Sequence, residues 1–171
     1  SQAEYRDVFA RLGEALRERG VAVEEFGNVQ VRLLLTRLIT LPLPTYVGNR
    51  LRTAAWRRMG WRIGPGSVFF GNLSLSGYGA IHERLRIGTQ VWINEKCRIE
   101  LSDTVSIGDN CAIGHEVLII TSTHRIGRRD RRAGELLVAP VVIGDGAWIG
   151  ARSVVLPGVT IVPAMVQAIE Q

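Results

Sequence analysis

Ser106-Ile107-Gly108-Asp109-Asn110-Cys111-Ala112-Ile113-Gly114-His115-Glu116-Val117-Leu118-Ile119 sets isoleucine at three positions six residues apart. The same beat runs back through Ile99, Ile93, Ile87, Ile81, Leu75, Phe69 and Ile63, and resumes at Ile143, Ile149, Val155 and Ile161. A helix face recurs every three to four residues and a plain strand every two, so neither explains a six-residue period. A chain that turns about 120° every six residues does, and three such faces close one triangular coil of a parallel β-helix.

A second position repeats with the first. The residue four after each leading aliphatic is small or modest in size: Ser67, Val91, Cys97, Cys111, Val117, Ala147, Ser153 and Val159. That size suits an inward slot near a corner of a close-packed core. Glycine follows the leading residue in Ile63-Gly64, Ile87-Gly88, Ile107-Gly108, Ile113-Gly114, Ile143-Gly144 and Ile149-Gly150, as corner dihedrals favour. The beat slips by two residues near Ser102-Asp103, which reads as a bulged corner. It slips further between Ile119 and Ile143, which reads as a loop thrown out of the coil over about residues 124–140.

Outside the repeats the chain reads as helical. Val8, Leu12, Ala15 and Leu16 share one face of an amphipathic helix that Gly20 ends. Val31 to Leu43 is apolar but carries Arg32, Arg37, Pro42 and Pro44, so it predicts a buried or interfacial helix stopped by proline rather than a membrane span. Asn49 is placed to cap a basic helix from Arg50 to Met59. The expected organisation is a helical segment over 1–60, the solenoid over 61–162 and a short C-terminal helix over 163–171, with Pro163 in its first turn. That tail either caps the coil edge or is joined to Ile161 with residues omitted between the two.

Composition bounds the function. The 171 residues are 46% hydrophobic and 22% charged with a net charge of +5, which excludes a disordered or membrane-spanning chain. The arginines fall into two patches, Arg50 to Arg62 and Arg125 to Arg132, without interleaved aromatics or a nucleic-acid module, so no nucleic-acid partner is expected. Each patch reads either as solvated surface or as a grip for an anionic small molecule. Cys97 and Cys111 sit in the small inward slot and read as small hydrophobes, with no disulfide or zinc spacing. With no signal-peptide pattern, a cytoplasmic location is the expectation.

His124 lies where the regular coil stops and the excursion departs, and loops on rigid scaffolds are where catalytic groups concentrate. Imidazole is also the side chain best suited to take and return a proton near neutral pH. Position alone favours a structural role, the commoner one for a lone histidine. Asn94 in Val91-Trp92-Ile93-Asn94, the stretch Ser106 to Gly114, Thr123-His124, Gly134-Glu135, Pro140 and Val142-Ile143-Gly144-Asp145-Gly146-Ala147-Trp148-Ile149-Gly150-Ala151 together resemble, in order, the hexapeptide-repeat acyltransferases. The likeness covers about residues 80 to 161 and is nearest the maltose and galactoside O-acetyltransferases and their relatives in polysaccharide biosynthesis.

That resemblance implies a left-handed parallel β-helix, a homotrimer, and acetyl-CoA as acyl donor in a groove between neighbouring solenoids, with no metal required. His124 would be the general base, Asn94 a catalytic and acceptor-binding residue, and the Ala151 N–H the oxyanion donor. Trp148, Gly114 and Ala151 would line the cofactor channel. For Asn94 a residue stabilising its own turn is the alternative. Trp92 should point outward, either to stack on a sugar or to be buried between subunits. The expected acceptor is a hydroxyl of a sugar, polysaccharide precursor or hydroxylated natural product. Two readings of other classes compete. One is a γ-class carbonic anhydrase-like metalloenzyme using His82, His115 and His124, which their spacing opposes; the other is a non-catalytic trimeric scaffold. The Arg125 to Arg132 loop, the N-terminal 60 residues and the tail depart from the sugar acetyltransferases.

Overall fold

The six-residue beat becomes three parallel sheets. The computed structural model describes residues 30–163 and the backbone at 166–167; the helix expected over residues 1–20 lies outside them. Two helices come first, α1 (Val31–Thr40) and α2 (Asn49–Arg58). The strands follow as β1 (Arg62–Ile63), β2 (Val68–Phe69) and β3 (Ser74–Ser76), a one-turn helix α3 (Ile81–Arg84), then β4 (Leu85–Ile87), β5 (Trp92–Ile93), β6 (Arg98–Glu100), β7 (Val105–Ile107), β8 (Ala112–Ile113) and β9 (Leu118–Ile119). After β10 (Ser122–Ile126) and β11 (Ala133–Val138) come β12 (Val141–Ile143), β13 (Trp148–Ile149), β14 (Val154–Val155), β15 (Thr160–Ile161) and β16 (Val166–Gln167). The first sheet stacks β1-β4-β7-β12-β15, the second β2-β5-β8-β13-β16 and the third β3-β6-β9-β14. Each coil visits the three in that order.

Register explains the burial. Ile63, Ile87, Ile107, Ile143 and Ile161 lie over one another in the first sheet, and Phe69, Ile93, Ile113 and Ile149 in the second. All are buried. The small slot is also internal. Ser67 donates to the Gly88 carbonyl at 2.7 Å, and the Cys97 and Cys111 thiols face the Gly114 and Gly144 carbonyls at 3.0 and 3.1 Å. Burial pushes the Cys97 thiol up to about 11, so it stays protonated at neutral pH and behaves as a small core residue.

The Ile-Gly-Asp triplets have a structural reason. At the corner between the first and second sheets, Asp109 accepts the Thr89 N–H of the coil before it at 2.7 Å, and Asp145 accepts the Asp109 N–H at 2.8 Å. A Cβ on Gly88 or Gly108 would run into those carboxylates, so the carboxylate ladder requires glycine above each rung.

All departures from the bare repeat fall at one corner, between the third sheet and the first. Ile143 to Ile161 is the minimal three-hexad step, whereas the earlier steps are lengthened by residues 77–84, by the bulge at 101–104 and by the excursion after Ile119. Ile81 therefore keeps the beat but not the strand: it is buried from α3, where Gly77 and Gly79 at φ 146° and 68° turn the chain aside. The excursion expected as a loop is an antiparallel hairpin, β10 against β11, with Thr123 opposite Leu137 and His124 opposite Leu136. Pairing satisfies the backbone groups that so long an irregular loop would leave to solvent.

Glu100 fastens the hairpin's root. Its carboxylate accepts the Ser102 N–H at 2.8 Å, the Ser102 hydroxyl, and the Thr121 N–H and hydroxyl, each at 2.9 Å. Burial alone would raise this carboxyl, but the hydrogen bonds from Ser102 and Thr121 outweigh it and hold it below its ordinary value. Its contribution to stability is therefore full above the unfolded-chain value of about 4.3 and drains as pH falls below it. Glu100→Gln should lower the melting temperature at pH 7, and parent and variant curves should converge in acid; a gap independent of pH would contradict this account.

The N-terminal end of the coil is closed by α2, which packs on β1 and β2. Trp56 fills the mouth, fully buried, 5.0 Å from the Trp61 ring and 5.9 Å from Phe69. Gly48, at φ 64°, precedes the helix in the capping position, and no side chain caps it. Asn49, the expected cap, instead accepts from Arg52 Nη1 at 3.0 Å. Arg52 itself is fully buried, correcting its reading as part of a solvated basic face. At the other end, the helix expected over 163–171 is replaced at Val166–Gln167 by strand β16, which pairs in parallel with β13, Trp148 opposite Val166. The exposed N–H and C=O row of a coil edge offers backbone partners in register, which outweighs a weak helical preference in so short a segment.

Candidate active site

The outer face of the second sheet carries a ladder of opposed residues, Val68, Trp92, Ala112 and Trp148. Side chains alternate across a strand, so burial of Ile93, Ile113 and Ile149 forces their predecessors outward. Trp92 and Trp148 are each 55% exposed. Their Cα atoms lie two rungs apart, about 10 Å, with Ala112 as the low step between them. Two adjoining hollows of about 530 and 380 Å³ share Gln90 and Trp92; the first is walled by Asn49, Arg50 and Phe70, the second floored by Asn110 and Ala112. Gln90 escaped the sequence reading, and Asn49 and Arg50 entered it only as a helix cap and as part of a basic patch. The signal for Gln90 was its corner position, which holds a non-glycine residue at φ 55°.

The corner after this sheet collects Asn94, Gly114 and Ala151. Asn94 donates through Nδ2 to the Ile113 carbonyl at 3.0 Å and so braces the next coil, while its Oδ1 takes no hydrogen bond from a described residue. Gly114 is buried, and a Cβ there would sit 2.6 Å from the Ala151 nitrogen and 2.8 Å from the Gly150 carbonyl carbon. Only glycine lets the two coils approach so closely. The Ala151 N–H donates to none of the described residues, although the turn around it is tightly bonded through Arg152 N–H to the His115 carbonyl at 2.8 Å. Above this corner an aromatic row runs from Tyr46 through Phe70 to Trp92, with centroids 5.6 and 6.3 Å apart, and the Tyr46 hydroxyl and His115 Nε2 are hydrogen-bonded at 2.8 Å.

His124 lies on β10, exposed, with Nδ1 2.9 Å from the Gly134 carbonyl oxygen on the opposite strand. A carbonyl only accepts, so Nδ1 carries the proton in this bond and neutral imidazole is left with a lone pair on Nε2. The hairpin tip is basic and open: Arg125 pairs with Glu135 at 3.6 Å and Arg128 with Asp130 at 3.7 Å, all at the surface.

Within one chain these residues form two groups. Trp92, Trp148, Asn94, Gly114 and Ala151 share the second sheet and the corner after it, whereas His124 leaves the corner after the third sheet. The two corners are one side of the triangle apart, roughly 17 Å for about five extended residues. The three histidines are also separate: His82 stands edge-on to Trp61, His115 is bonded to Tyr46, and His124 to Gly134. Among the described residues no group of three or more His, Cys, Asp or Glu could hold a metal ion.

The profile "Hexapeptide repeat of succinyl-transferase" matches residues 104–123 and 140–161, the coils on either side of the hairpin. Nodulation protein L of Rhizobium leguminosarum bv. viciae is 36% identical over 132 residues, which span 68% of this chain and 70% of that protein. The chain belongs to the hexapeptide-repeat acyltransferase family. Another member, the galactoside O-acetyltransferase of Escherichia coli (strain K12), is 34% identical over 49% of this chain, and the chain spans only 41% of that relative's length. A solved member, a galactoside acetyltransferase in complex with coenzyme A, aligns with a TM-score of 0.52 at 27% identity over 70% of this chain and 57% of that one.

Proposed function

We propose that the chain is a CoA-dependent O-acetyltransferase, built on a left-handed coil, that moves an acetyl group from acetyl-CoA to a hydroxyl of a sugar or other hydroxylated acceptor, with His124 as general base. The observation that carries this reading is the Nδ1 bond to Gly134, which turns a basic Nε2 outward at the edge of the coil. Nε2 takes the proton from the acceptor hydroxyl as its oxygen attacks the thioester carbonyl, forming the C–O bond. The oxyanion is held by the Ala151 N–H, and as the C–S bond breaks the proton passes from Nε2 to the departing thiolate. No covalent enzyme intermediate is needed. Asn94 Oδ1 is left to accept from an acceptor hydroxyl, and the ladder of Trp92 and Trp148 offers flat apolar surface to the sugar and to the pantetheine arm.

The reading includes a second and third copy of the chain, because one copy holds the base and the oxyanion donor at different corners. A neighbour packed alongside would bring its His124 hairpin over this chain's second sheet. The hairpin is suited to being covered: Ile126 is 83% exposed, and Leu136, Leu137 and Val138 are also partly open to solvent. Two of the relatives support the donor and acceptor class, since both are galactoside acetyltransferases and one was solved with coenzyme A. The test is release of free thiol from acetyl-CoA and longer acyl-CoAs across sugars, nucleotide-sugars and glycosylated metabolites. Thiol release dependent on a hydroxylated acceptor is expected; if no acceptor releases thiol and acetyl-CoA does not bind, the reading fails.

A further inference from the structure

Helix α1 is amphipathic the wrong way round. At about 100° per residue, Val31, Leu34, Leu35, Leu38 and Ile39 share an arc of roughly 140°, and Leu33, Thr36 and Thr40 occupy the opposite side. It is the threonine side that packs inward and the aliphatic side that faces solvent: Leu33, Thr36 and Thr40 are buried, while Leu34 is 52% and Leu38 57% exposed. Leu41, just past the helix, is 71% exposed. The orientation is fixed, not incidental. Trp61 Nε1 donates to the Thr36 hydroxyl at 3.1 Å and Arg32 donates to the Met59 carbonyl at 3.2 Å, so the helix cannot roll its leucines inward without breaking these bonds.

The charge around this face has one sign. Residues 27–82 contain no Asp or Glu, and Arg32 and Arg37 border the aliphatic arc, one on each side. Arg37, Arg50, Arg58 and Arg62 are exposed, and none is paired with a carboxylate among the described residues. An apolar stripe bordered by arginine is the pattern of a helix lying in a membrane interface, its aliphatic side chains in the acyl boundary and its guanidinium groups at the headgroups. Acidic lipid supplies the charge that this surface lacks. A two-fold contact with a second copy would set arginine against arginine with no acid between them, which is unfavourable. No described helix is long and apolar enough to cross a membrane, and lying on one requires neither.

We propose that α1 docks the protein on the surface of an anionic lipid bilayer. The test is co-sedimentation of the full chain with phosphatidylcholine vesicles prepared with and without phosphatidylglycerol. Binding to the anionic vesicles, weakened by salt, is expected. The double substitution Leu34→Ser with Leu38→Ser should weaken it about 100-fold, roughly tenfold for each leucine removed from the acyl boundary. Both positions are exposed, so melting temperature and thiol release with a soluble acceptor should be unchanged. Absence of binding to anionic vesicles would overturn the proposal, as would binding that the double substitution leaves intact. A drop in oligomeric mass by light scattering in the double variant would also overturn it, by assigning the face to contact between copies.

Discussion

His124→Ala is expected to lower kcat for acetyl transfer by about 10³-fold, the middle of the range for loss of a positioned general base. The hairpin should survive the change. His124 contributes one side-chain bond to it, at Gly134, whereas its root is held by Glu100 and Thr121 and its length by backbone pairing with β11. Acetyl-CoA should therefore bind within a few-fold of its parental affinity, measured by calorimetry beside steady-state thiol release. Separating the two readouts matters, because a loss of donor binding would mean the hairpin had moved rather than that a base had been lost. A variant that keeps kcat within about tenfold would remove His124 from the chemistry.

Arg52→Lys should be the most destabilising conservative change in the described part of the chain. The guanidinium has five N–H donors, and five acceptors meet it: Asn72 Oδ1 at 3.2 Å, Asn49 Oδ1 and the Phe69 carbonyl at 3.0 Å, and the Leu43 and Pro44 carbonyls at 2.8 and 2.9 Å. No carboxylate is among them, and burial lowers its pKa from the ordinary arginine value. Lysine offers three donors from one point and cannot span this set. Leaving two or more buried acceptors unmet costs about 3 kcal/mol, a fall in Tm of roughly 9 °C for a chain of this size. Thermal unfolding followed by circular dichroism measures it, and a fall of less than about 3 °C would mean the cage relaxes around an ammonium. Activity should fall too, since Leu43 and Pro44 lead into Tyr46, which stands in the aromatic row beside Trp92.

The solenoid was legible because its cause is local. Each hexad repeats one decision, inward aliphatic, outward partner, small corner residue, and every leading position from Ile63 to Ile161 is buried as that decision requires. Ile81 shows the limit: the beat marked it as internal but could not tell a strand from one helical turn, since a single buried side chain satisfies both. The tail was misread because its structure depends on an open coil edge beside Trp148 rather than on its own sequence. Arg52 was misread for the same kind of reason, four of its five acceptors, at Leu43, Pro44, Phe69 and Asn72, lying outside its own helix. In the candidate site, His124 stood out by its place where the coil breaks, whereas Asn94 and Trp148 stood out only through the ordered motifs that resemble the hexapeptide-repeat acyltransferases. The hollow at Gln90 and Arg50 did not, because it arises where α2 meets the second sheet and belongs to neither alone.

Confining every added residue to the corner between the third sheet and the first has a consequence for how such a chain can change. Length enters at one edge only, so the other two edges keep vertical alignment and the Asp109 and Asp145 ladder never loses phase. The scaffold thus behaves like a bound book: pages can be inserted at the open margin while the spine holds its stitching. New termini or a grafted segment at the Arg129-Asp130 tip would leave each strand pairing of the three stacked sheets unbroken.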